Sequence, residues 1–198
     1  MFLGNNGVSN SLLYKPCGID LDRNNNILYI TDNYNHRVMA YAVGASSGTE
    51  VAGGNGNGFN NNQLYLPFGI IFDSITNSLI ISNTDSHMVV RWPIGATSWT
   101  LLAGSSNGTT GDTSLLLNGP RGIAQDPMGN LYVADMLNHR IQLFMAGQTT
   151  GKTIVGVTGV SGSNATLLNR PYSIAFDSNL NLYITDANNH RIQKFLRY

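Results

Sequence analysis

The chain repeats itself. Four phrases stand in register: "LYITDNYNHRVMAY" (28–41), "LIISNTDSHMVVRW" (79–92), "LYVADMLNHRIQLF" (131–144) and "LYITDANNHRIQKF" (182–195). The aligned positions Asp32, Asn83, Asp135 and Asp186 recur about every 51 residues, a fixed period that points to a repeat architecture. A shorter phrase precedes each one: "PCGIDLD", "PFGIIFD", "PRGIAQD" and "PYSIAFD". After the first three, a brief apolar stretch runs into Gly, Ser and Asn, as in "TEVAGGNGNG". The units cover residues 16–54, 67–104, 120–156 and 171–198 of a single domain, 1–198, and residues 1–15 read as the tail of a preceding unit.

Each unit reads as four short strands. In the first, "GIDLD" follows Pro16, which cannot donate to a ladder and suits a strand entry. "NNN" is turn chemistry, "ILYIT" is β-branched and aromatic, "DNYNH" turns again, and "RVMAYAV" and "TEVAG" complete the set. Helical spacing of apolar residues is absent. Short strands in fours, repeated at this period, predict the blades of an all-β propeller, since one such sheet buries its two faces only against neighbouring sheets.

The phrases "YITD…NHRV", "YVAD…NHRI" and "YITD…NHRI", with the preceding "P-x-G-I-x-x-D", resemble the NHL repeat, named for Asn-His-Leu. The second unit departs, with Asn83 for the acid and Met88 for the Arg, while His87 stays. The resemblance implies a propeller, and relatives commonly have six blades. Four four-stranded NHL-type blades are then part of a six-bladed propeller in preference to a closed four-bladed ring. In a closed ring, "MFLG" would supply the last blade's outer strand.

Composition narrows function. Eleven basic residues balance eleven acidic ones, and charged residues make up only 11% of the chain, so no basic stripe invites nucleic acid. No apolar run approaches the roughly 18 residues that span a bilayer, which speaks against membrane insertion. The start lacks a basic, long-apolar leader. One cysteine, Cys17, precludes an internal disulfide. Two glycosylation sequons, at Asn107 and Asn164, lean the address towards extracellular over cytoplasmic.

The four histidines all occupy one slot: His36, His87, His139 and His190. Equivalent positions of stacked sheets lie about 10 Å apart, too far to share one ion, so the slot is read as structural and no metal or cofactor is assigned. The expected turn is built by Asp32, Asp135 and Asp186, the four histidines, and Arg37, Arg140 and Arg191. The Asp accepts N–H groups of the turn, Asn takes the left-handed conformation, Arg pairs with Asp, and His bonds a backbone carbonyl. Losing both charges makes the second unit the expected weak link. Asp22, Asp73, Asp126 and Asp177 are read as turn caps, and Asp20 as facing the central channel.

The most variable slot is the "x" of "P-x-G-I": Cys17, Phe68, Arg121 and Tyr172. It lies at the same strand edge as the turns holding Tyr34, Met136 and Leu137. A constant scaffold with a variable rim is the pattern of a binding surface, and exposed aromatics, Met and Arg suit a protein or peptide, with a glycan as the next choice. The first reading is therefore a non-catalytic binding or scaffold module. The alternatives are a metal-dependent lyase or lactonase-like propeller enzyme, and an RNA-binding NHL domain. The resemblance brings in the enzyme reading, and in such relatives it needs His or acidic ligands from several first strands, which here offer no His and only Asp20 as an extra acid.

Overall fold

The computed structural model describes residues 6–196, and its regular structure is short antiparallel strands with three brief 3₁₀ turns. Blade 1 holds β1 (Pro16–Asp22), β2 (Ile27–Asp32), β3 (Arg37–Ala42) and β4 (Thr49–Gly53). Blade 2 holds β5 (Pro67–Asp73), β6 (Ser78–Asn83), β7 (Met88–Pro93) and β8 (Thr100–Gly104). Blade 3 holds β9 (Pro120–Gln125), β10 (Leu131–Asp135), β11 (Arg140–Phe144) and β12 (Gly151–Gly156). Blade 4 holds β13 (Pro171–Phe176), β14 (Leu182–Asp186) and β15 (Arg191–Phe195), three strands among the described residues. Each sheet pairs its strands in chain order, and the four sheets are the blades of a β-propeller. The "MFLG" segment lies outside the described residues.

The prolines do what their chemistry allows. Pro16, Pro67, Pro120 and Pro171 each open an inner strand opposite the last residue of the next strand, and the register slips just after each of them. The slip sits where the following blade comes closest. A Cβ on Gly69 would lie 2.6 Å from the Arg121 carbonyl, and one on Gly122 would lie 2.5 Å from the Ser173 Cα. Gly18 is blocked in the same way by the Phe68 carbonyl. Only glycine tolerates so close a backbone approach. The fourth inner strand carries Ser173 in this slot, and Ser173 is exposed.

The core is three layers, one per junction. Between blades 1 and 2 lie Tyr29, Val38, Ile70, Ile81, Val90 and Trp92. Between blades 2 and 3 lie Ile80, Val89, Ile123, Val133 and Phe144. Between blades 3 and 4 lie Ile141, Val155, Ile174 and Ile184. Each such side chain contributes about 1.5–3 kcal/mol when fully buried. β1 packs on β5, β5 on β9 and β9 on β13. Among the described residues nothing covers one face of blade 1 and one of blade 4, with Ile19 67% and Ile192 62% exposed. No helix among the described residues is long and apolar enough to cross a membrane.

Candidate functional site

Two sets of residues gather at the edge where the inner strands begin. The first is the Asp-His-Arg turn. In blade 3 the Asp135 carboxylate is fully buried. Its Oδ1 accepts the Asn118 N–H at 2.7 Å, and its Oδ2 accepts from Asn138 Nδ2 and Arg140 Nε, each at 2.8 Å. The Arg140 Nη groups donate to the carbonyls of Asp112, Thr113 and Leu116. Asp32 with Asn35 and Arg37, and Asp186 with Asn189 and Arg191, repeat the pattern. The expected Asp–Arg pair therefore forms within each of these three blades. The other expectation is corrected: the backbone N–H that the carboxylate accepts belongs to the incoming connector and not to the turn, whose Asn side chain alone bonds it, so the carboxylate ties the Gly-rich loop to the blade.

The left-handed residue is His, not Asn. His36, His87, His139 and His190 have φ of 56°, 55°, 55° and 52°. This backbone aims three of the rings at the next blade, and the expected bond to a carbonyl is reversed. His36 Nδ1 accepts the Leu66 N–H at 3.2 Å, His87 Nδ1 that of Gly119 at 3.1 Å, and His139 Nδ1 that of Arg170 at 3.1 Å. Each donor precedes the proline of the next inner strand and itself has positive φ. An Nδ1 that accepts carries no proton, so these rings are neutral Nε2–H tautomers. Burial lowers the pKa of all three.

Further clips escaped sequence reading. Thr31 and Ser82 donate their hydroxyls to the Phe68 and Arg121 carbonyls of the following blade. Asn33 Nδ2 and Thr84 Oγ1 reach the carbonyls of Pro67 and Pro120. The only signal was a hydroxyl just before the Asp slot in three of four units. Asp20, expected to face the channel, instead accepts the Phe72 N–H of blade 2 at 2.6 Å. The four capping aspartates bond their turns as expected, and Asn181 with the turn N–H groups holds Asp177 down to about 2.

The second set is the variable slot. Phe68 and Tyr172, in blades 2 and 4, meet edge to face at 6.4 Å and 85°. A contact that skips a blade places both near the axis. The Arg121 guanidinium lies in their corner, 4.8 Å from the Phe68 ring and 4.1 Å from that of Tyr172, within cation–π range. Cys17 is exposed. Partial burial raises its thiol pKa, against the pull of the Arg121 and Lys15 charges. Three slot residues therefore come together from blades 2, 3 and 4, and Cys17 of blade 1 feels the Arg121 charge.

The turn residues divide. Tyr34 is 43% exposed, lies tilted at 40° against Tyr14 and carries Lys15 Nζ 4.1 Å over its ring. Leu137 is partly exposed. Met136, expected on the rim, is buried at 6% exposure. It opens a 3₁₀ turn whose buried side packs towards Gly119, so the rim loses it. Among the described residues, no group of three or more His, Cys, Asp or Glu is placed to hold a metal ion.

The NHL repeat model matches residues 13–41, 117–144 and 168–195. The unmatched unit is the second, which lacks the Asp and Arg. No curated protein sequence matches the chain. Among solved structures, a Bacteroides thetaiotaomicron protein of unknown function superposes with a TM-score of 0.73 at 20% identity, over 91% of this chain and 47% of that one. An auxiliary nutrient binding protein of the same organism gives 0.69 at 21%, over 89% and 46%. A Xanthomonas campestris gluconolactonase gives 0.71 at 13%, over 94% and 59%. The chain spans about half the length of the first structures it matches. At these identities the likeness is one of fold.

Proposed function

Since the chain is an NHL-repeat β-propeller, we propose that it is a non-catalytic binding module presenting one propeller face to a protein or peptide partner. One observation carries this reading. In the slot that varies most between units, Phe68, Arg121 and Tyr172 converge from three blades at the axial edge, with Cys17 under the influence of the Arg121 charge, whereas the constant histidines hold one blade to the next. Tyr34 with Lys15, and Leu137, extend the surface outward. Aromatic and Arg side chains that are partly exposed and already held in place lose little freedom on binding. The binding-protein and lactonase neighbours share only the fold, so the choice between binding and chemistry rests on the side chains at the axial edge.

The test is selection of displayed peptides against the whole chain, followed by Phe68→Ala and Tyr172→Ala. Binders should lose at least about tenfold in affinity, the scale of one lost aromatic anchor, with the far-UV spectrum unchanged. Peptides indifferent to both changes would place binding elsewhere.

A further inference from the structure

Arg121 is a cation without an anion. Among the described residues Arg23, Arg121 and Arg170 form no ion pair, while Arg37, Arg91, Arg140 and Arg191 each do, and of those three Arg121 has the buried guanidinium nitrogen. Its Nε is sealed from solvent and has no hydrogen-bond partner. A buried donor without an acceptor is costly, and more so on a charged group. The two rings satisfy the guanidinium only through their π faces. They also fix it in place, so an incoming acceptor finds the donors already oriented.

A guanidinium presents paired N–H groups in its own plane, a fork that matches a carboxylate bidentately. The surroundings favour one charge over many. Net charge is zero, and Lys15 is the only other basic group acting on the slot through Cys17. That is too little for a phosphate backbone, which is held by several cations at once. Phe68 and Tyr172 place apolar walls beside the fork, and a chain terminus brings an apolar side chain next to its carboxylate.

We propose that Arg121, in the corner formed by Phe68 and Tyr172, receives the free C-terminal carboxylate of a peptide partner. This rests on the binding-face reading and assigns it one chemical anchor. The ligand's last side chain then packs on the two rings, and the carboxylate pairs with the Nη groups, which unlike Nε are open to solvent.

The experiment uses peptides selected with free C-termini on the whole chain, each resynthesised as its amide. The amide should bind about tenfold more weakly or worse, the scale of one charge-assisted pair. Arg121→Gln should bind acid and amide alike, its fold checked by circular dichroism. The Arg121 Nε–Hε resonance should shift with the acid and also, more weakly, with acetate. Peptides that lose affinity with Phe68→Ala or Tyr172→Ala yet bind equally as acid and amide would overturn the Arg121 assignment and leave the binding face standing. Binders with an internal Glu that survive amidation and depend on Arg121 would replace a terminus with a side-chain carboxylate. Failure to obtain any peptide bound at these rings would bring down both. The acid–amide comparison on the unaltered chain needs no variant to fold.

Discussion

Blades 2 and 3 solve one turn in two ways. Blade 3 buries Asp135 against Arg140, with the Arg side chain 3% exposed. Blade 2 has Asn83, Ser86 and Met88 in the same places, and Met88 is 1% exposed in the apolar layer between blades 1 and 2. Asn83 Oδ1 still meets the connector, accepting the Tyr65 N–H at 3.4 Å against 2.7 Å for Asp135. His87 keeps its left-handed backbone and its clip to Gly119. The difference teaches that the ion pair is one filling of the turn and the His clip is its constant. The charges were lost together because burial of either alone is costly, whereas a matched apolar replacement of a pair is often neutral. Blade 2 is flanked on both sides, and every residue of β6 is buried, so its uncharged Asn83 and Met88 sit where burial is greatest.

The sharpest way to break this comparison is to convert blade 3 by halves. Arg140→Met alone leaves Asp135 buried without its cation and should cost about 3–5 kcal/mol in urea unfolding. Adding Asp135→Asn should recover part of that loss. Strictly additive losses in the double-mutant cycle would show that the two side chains do not act as a pair.

Next in size is the junction itself. Gly69→Ala pushes a Cβ into the Arg121 carbonyl and should cost about 1–3 kcal/mol. A smaller, shared effect comes from the His clips. His36, His87 and His139 have folded pKa values lowered by burial, so the unfolded chain binds protons more readily. Their contribution is complete above the unfolded value of about 6.5 and is lost as pH falls through the folded values. Denaturation midpoints should drop between pH 7.5 and 5.5, and a flat profile there would remove the clips from the account.

Smaller again, Arg191→Met should cost roughly 1 kcal/mol or less. Its 2.7 Å pair with Asp186 matches that of blade 3 and Asp186 is as buried as Asp135, but the Arg191 side chain is 31% exposed, so water can reach the site once the guanidinium is gone and solvate what it leaves. Smallest of all is Ser173→Gly, within about 0.5 kcal/mol on the open face.

What sequence revealed depended on range. The blades were legible because the period-2 strands, the entry prolines and the turns are local. Asp–Arg pairing was legible from one correlated loss, Asn83 with Met88. The clips were not, because His36 and Leu66 are 30 residues apart and which nitrogen faces which group depends on the left-handed His backbone. Met136 misled because its turn looks like its neighbours in one dimension, while in three its side chain packs inward. The axial convergence of Phe68, Arg121 and Tyr172 followed from the repeat, but the absence of an acceptor for Arg121 needed coordinates.

The His clips all point the same way along the chain. Each ring waits for an N–H that lies 30, 32 or 31 residues further on. At a synthesis rate of about 5–20 residues per second, that partner arrives roughly 2–6 s after the histidine. The partners of successive junctions therefore become available in order and at an even beat during synthesis. Each finished blade becomes the template on which the next one is set, and blades 1 to 3 can lock before blade 4 is made.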